Sequence, residues 1–160
     1  MFALIAVMPL LIAALPIMAS DLQTGVHAFD KGDYATALKE LKPLAEKGNS
    51  LAQVTLGLMY YQGNGVAQDY HEALKLFLRA ADHGEGMAQL SIGFMYGAGQ
   101  GVERDFVQSY MRFSLCTTIP EVRVNCVKNR ELVIHQMTPA QIAEGQRLAM
   151  AWKQKTAVKK

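Results

Sequence analysis

Two kinds of apolar patterning follow one another along the chain. Leu51 to Gln62 is apolar on nearly every side, whereas Tyr70 to Asp82 gathers Ala73, Leu74, Phe77, Leu78 and Ala81 on one stripe and His71, Glu72, Lys75 and Arg79 on another. The first pattern predicts a helix buried on two sides and the second a helix buried on one. Between them, Gln62-Gly63-Asn64-Gly65-Val66 predicts a turn whose glycines stop the helix and take positive φ, with Val66 filling it. Asp69 is placed as the N-cap of the second helix, and Glu72 three residues on gives capping-box spacing.

The pattern recurs at a shift of 36. Ala52, Gln53, Gly57, Met59, Tyr60, Gly63, Gly65, Val66, Asp69 and Phe77 fall onto Ala88, Gln89, Gly93, Met95, Tyr96, Gly99, Gly101, Val102, Asp105 and Phe113. The same shift carries Asp33-Tyr34, Ala37, Leu38, Ala45 and Gly48 onto Asp69-Tyr70, Ala73, Leu74, Ala81 and Gly84, so three units are expected, at about 21–48, 49–84 and 85–119. A helix wedged between its partner and the next unit is buried on two sides, which is what a stack of helical hairpins requires. Gly57 and Gly93 in mid-helix cost roughly 1 kcal/mol each against alanine, and close approach of two helix backbones is the expected compensation.

The spacing A-x4-G-x-M-Y-x2-G-x-G-V-x2-D, present twice, resembles the Sel-one-like repeat, a relative of the tetratricopeptide repeat. The first unit departs from it, since its connection, around Asp30-Lys31-Gly32-Asp33, is about four residues shorter and resembles an ordinary tetratricopeptide turn. In the third unit Ser109 stands where alanine is usual, and Thr117 to Val124 replaces the usual ending of the second helix. The resemblance implies an all-α solenoid of αα-hairpins forming a right-handed superhelix, used for protein–protein contact with no activity of its own. Met137 to Trp152 resembles the terminal helix that follows such repeats, with Thr138 as N-cap, Pro139 at N1 and Gln141 at N3. With a preceding helix over Glu121 to His135, it makes a cap of about 120–155 over the last repeat.

The charge balance changes the picture only at the start of the chain. Residues 1–20 carry no charged side chain, and Phe2 to Ala19 is apolar throughout, interrupted by Pro9 and Pro16. Such a run is either a signal peptide or a membrane anchor. Residues 1–19 are expected to be a signal peptide cut after Ala19, sending residues 20–160 to the periplasm or outside the cell. Membrane association is expected only if the segment stays uncleaved. A net charge of +2 from 16 Lys and Arg against 14 Asp and Glu gives no field for nucleic acid, and Lys153, Lys155, Lys159 and Lys160 are read as a solvated end.

Cys116 and Cys126 are the only cysteines, ten residues apart, with Pro120 between them to turn the chain. In an exported protein on adjacent antiparallel helices they predict a disulfide, the alternative being two small buried thiols. His27, His71, His83 and His135 are too far apart for a local metal motif, and the glycines of the turns lead into Val66 and Val102 rather than a phosphate-binding lysine, so neither metal nor cofactor is expected. A β-lactam-recognising or cell-wall-active hydrolase is the alternative function, because penicillin recognition has been proposed for secreted relatives. That chemistry calls for Ser-x-x-Lys, and none of Ser20, Ser50, Ser91, Ser109 or Ser114 has lysine three residues later. The expected function is a non-catalytic scaffold that binds a protein or peptide along the first helix of each unit. Gln53 and Gln89, polar in apolar helices, and Tyr61 and Phe94, aromatics that differ between units, are the candidate contact residues, with packing between units as their other role.

Overall fold

Side chains that accept from free backbone N–H groups start several of the helices of this chain. In the computed structural model, which describes residues 21–157, Asp33, Asn49, Asp69 and Asp105 each accept from an N–H of the first turn that follows. The described residues form eight helices and no strand: α1 over 21–30, α2 (Tyr34–Glu46), α3 (Ser50–Gln62), α4 (Tyr70–Asp82), α5 (Gly86–Ala98), α6 (Phe106–Cys116), α7 (Arg123–Ile134) and α8 (Pro139–Ala157). The expected signal peptide at 1–19 lies outside the described residues. Among those described, no helix is long and apolar enough to cross a membrane.

The helices pair as hairpins, with α3 packing chiefly on α4 and α5 chiefly on α6, and each hairpin then packs on the next through α2 with α3 and α4 with α5. Three buried clusters follow one another along this stack. Leu41, Leu56, Met59 and Leu76 join the first two hairpins, and Val54, Phe77, Ile92 and Met95 join the second to the third. Leu90, Phe113, Cys116, Val122 and Cys126 then join the third hairpin to α7. The all-α solenoid read from the sequence is the observed fold.

The seven-residue turns 63–69 and 99–105 have one construction. Gly63 and Gly99 cap α3 and α5 at φ 73° and 70°, their N–H groups donating to the carbonyls of Met59 and Met95. Gly65 and Gly101 sit against the preceding hairpin: a Cβ at Gly65 would lie 2.5 Å from Tyr34 Cβ, and one at Gly101 would lie 2.7 Å from the Tyr70 backbone. Each turn therefore rests on the first residue of the second helix one unit back. The capping boxes expected at Asp69 and Asp105 are only half formed. Their backbone N–H groups, which Glu72 and Gln108 would have to take, already donate to the carbonyls of Tyr60 and Tyr96 at 2.9 Å. A complete box does form at α8, where Thr138 N–H donates to Gln141 Oε1 at 2.8 Å and Gln141 N–H to Thr138 Oγ1 at 3.3 Å.

The mid-helix glycines meet aromatic rings rather than helix backbones, correcting the expectation of a backbone approach. A Cβ at Gly57 would lie 2.7 Å from Phe77 Cε1, and one at Gly93 would lie 2.5 Å from Phe113 Cε1. The ring from the second helix of each hairpin comes so close to the first that hydrogen alone fits between them. Ser109 is buried beside Gly93 and donates its hydroxyl to the Gly93 carbonyl at 2.7 Å, which gives the departure from alanine a bonding partner.

Cys116 and Cys126 form a disulfide, with their Cα atoms 5.9 Å apart. Val122 to Ile134 buries little besides Val122, Cys126 and Val133, so α7 is fastened largely through this bond and its neighbours. It begins at Arg123 rather than Glu121, because residues 117–122 are spent turning the chain around the disulfide. α7 and α8 both pack chiefly on α6. α8 covers Met111 and Leu115 of α6 with Leu148, Ala149 and Trp152, and Gly145 lies under Tyr110.

Candidate functional site

The first helices of the second and third hairpins contain no charged side chain between Ser50 and Gln62 or between Gly86 and Ala98. Their outer faces expose large apolar groups, with Leu51 at 44%, Met87 at 42% and Phe94 at 42%. Two troughs run along them. One, of about 190 Å³, lies between α3 and α5 and is lined by Leu58, Tyr61, Met87, Leu90 and Phe94 among others. The other, of about 260 Å³, lies between α5 and α7 over α6 and is lined by Phe94, Gly97, Phe106, Ser109, Leu132 and Gln136 among others. Phe94 belongs to both, a ridge dividing them. Its ring is held edge-on against Phe113 with centroids 5.3 Å apart.

Of the four residues singled out in the sequence, two lie on this surface. Phe94 is central to it. Tyr61 lines the first trough and is half-buried; its hydroxyl donates to Gln100 Oε1 at 2.7 Å and its ring packs edge-on against Tyr70, so it also ties its own hairpin to the next turn. Gln53 and Gln89 are each 1% exposed and face the preceding hairpin instead. Gln53 Nε2 donates to the Ala45 carbonyl at 3.0 Å, and Gln89 Nε2 donates to the Ala81 carbonyl at 3.5 Å. Both reach carbonyls in the last turn of a helix, where each also accepts from the N–H of the glycine that follows, Gly48 at 3.1 Å and Gly84 at 3.0 Å. Of the two roles expected for these glutamines, contact or packing between units, the geometry displays the packing: each is enclosed between hairpins with its amide on a carbonyl of the preceding one.

Around the glutamines the units differ. Gln89 Oε1 accepts from Arg112 Nη1 at 3.2 Å, whereas Gln53 Oε1 is buried without a partner. The reason is one substitution within the repeat: Arg112 stands where the preceding unit has Leu76, which is buried in the core between hairpins. Burial holds the Arg112 guanidinium below the usual arginine range, an effect partly opposed by Tyr96 and Asp82. Sequence reasoning passed over Arg112, although its mismatch with Leu76 under the shift of 36 is a visible signal. It also passed over Leu132, since α7 falls outside the period. Among the described residues no group of His, Cys, Asp or Glu is arranged to hold a metal ion.

Stacked αα-hairpins sealed by a terminal helix, with an uncharged groove on their first helices, define a helical-repeat protein of the α-solenoid class. Residues 50–85 and 86–111 match the model of the Sel1 repeat, so the chain carries two Sel1 repeats. Among solved structures the chain is similar to c5321, described as a protective antigen of uropathogenic Escherichia coli strains with an SLR fold. The TM-score is 0.81 and the identity 28%, over 89% of this chain and 31% of that one. It is also similar to a Sel1 repeat protein from Oxalobacter formigenes, with a TM-score of 0.59 and 26% identity over 61% of this chain and 39% of the other. The chain spans less than half the length of either. No curated protein sequence matches it.

Proposed function

We propose that this protein is a non-catalytic scaffold of the cell envelope that holds an extended apolar segment of a partner protein in the groove divided by Phe94. Sel1-repeat proteins typically mediate protein–protein interaction, and the observation that carries the proposal here is the exposed phenyl ring between two apolar troughs on helices without charge. An apolar segment can place one side chain in each trough with the Phe94 ring between them, and no buried charge is left unpaired. Tyr61 contributes to the first trough. Export is supported by the uncharged apolar start and by the Cys116–Cys126 disulfide, a bond that persists in oxidising compartments.

The decisive comparison is capture from envelope extract by the mature protein and by Phe94→Ser, which keeps the fold because the side chain is already half in water. A protein retained by the first and lost by the second is the expected outcome. Equal retention by both removes the groove from the function, and turnover of peptidoglycan or of a β-lactam by the mature protein replaces the scaffold with the hydrolase. Export is tested by mass: periplasmic protein should begin at or near Ser20, and full-length protein in the cytosol refutes it.

A further inference from the structure

On the far side of α5 from the groove lies a cavity of about 280 Å³, lined by Gln89, Leu115, Thr118, Ile119, Trp152 and Lys153 among others. Leu115, Ile119 and Trp152 give it apolar walls. Its polar groups lean one way. Lys153 is the only ionisable group on the lining, and no carboxylate lines it. Gln89 Oε1 is taken by Arg112 and one Nε2 proton by the Ala81 carbonyl at 3.5 Å, so the amide has one N–H left to give and no acceptor.

Arg112 supplies the second, independent observation. It is a partly buried cation whose Nε has no hydrogen-bond partner, and among the described residues no carboxylate lies within ion-pair distance of it, Asp82 acting on it only from farther off. A buried charge of this kind is costly unless paired. The preceding unit fills the same position with Leu76, so the fold of a hairpin does not call for a cation there. A positive charge behind the wall of a cavity that already holds Lys153 makes that cavity favourable to an anion.

We infer that the cavity between α8 and the end of α6 binds a carboxylate carried on an apolar stem. The carboxylate meets Lys153 and the Gln89 amide, which Arg112 orients and polarises, while the stem lies against Trp152, Leu115 and Ile119. A free aliphatic acid and the C-terminal carboxylate of an apolar peptide share this chemistry. The site is separate from the groove, so either can fail without the other.

Trp152 is the only tryptophan, which makes its fluorescence a direct readout of occupancy. The mature protein is titrated with octanoate, with n-octanol as neutral counterpart, and with acetyl-Leu-Leu as free acid and as amide. Saturable change with octanoate, at least about tenfold tighter than with octanol, is expected from loss of a charge-assisted contact. If the dipeptide acid binds in preference to its amide while octanoate does not, the inference stands with a chain end as the source. Arg112→Leu restores the residue of the preceding unit and Lys153→Gln changes an exposed side chain, so both should keep the fold and weaken binding about fivefold or more. No saturable change with either acid, octanol or amide binding as well as the acids, or both variants binding like the parent overturns it.

Discussion

At the scale of single residues, the repeat is maintained by positions where one atom more or less matters. Gly93 is the sharpest case, because even a methyl group must displace Phe113, whose ring also supports Phe94. Gly93→Ala should therefore lower stability by about 1–3 kcal/mol in urea denaturation despite alanine's better helix propensity. Phe113→Leu added to it should recover part of the loss, and a strictly additive pair would show that ring and glycine do not meet. Gln53→Ala removes the amide that reaches the Ala45 carbonyl, leaving Arg79 Nη2, at 3.0 Å, as the side-chain donor there. About 1 kcal/mol of stability should be lost while partner capture is unchanged. The glutamines were legible as exceptional but not as buried: a polar residue in an apolar helix either faces water or finds a partner, and the carbonyl that decides belongs to a different hairpin.

Among elements, the hairpins were largely legible, since helix type and turn chemistry are local properties repeated at a fixed distance. Asp69 and Asp105 show where that legibility ends, because their side chains behave as the spacing predicts while their backbone N–H groups are claimed by the previous helix. Asp105→Ala should accordingly cost about 1 kcal/mol, the loss of one cap bond, and Gln108→Ala should cost much less in the same thermal or urea unfolding measurement. α7 is the opposite kind of element, with few buried side chains and a covalent tether near its start. Cys116→Ala with Cys126→Ala should destabilise by roughly 2–3 kcal/mol. Hydrogen exchange should rise over 123–134 and stay low in α8, which has its own packing on α6. Uniform loosening of every helix would mean that the disulfide fastens the whole stack.

For the whole molecule, the carboxyl end of the array depends on the helix that covers it. Without α8, Met111 and Leu115 of α6 are uncovered on one side and Tyr110 loses the helix that lies over it. A chain ending before Thr138 should self-associate, visible as light scattering at concentrations where the full chain is monodisperse. The groove was only partly legible from the sequence. Phe94 stood out because it differs from Leu58 one unit back, but the second trough exists only because α7 crosses near α5 over the buried Ser109, and nothing in the period announces that crossing.

The turn glycines also fix how this array could grow. Gly65 sits on Tyr34 and Gly101 on Tyr70, so each hairpin offers the next a seat of the same shape. Phe106 is the third such seat by position, but it is occupied differently, with the Arg104 guanidinium 5.4 Å above its ring and the second trough beside it. A duplicated copy of residues 50–85 spliced in before Gly86 would find a matching seat on both sides and lengthen the superhelix by one hairpin at unchanged pitch. The same copy spliced in after Cys116 would find the seat taken and its neighbour disulfide-bonded, so gene duplication in this lineage has room to act on the interior of the array and not on its carboxyl end.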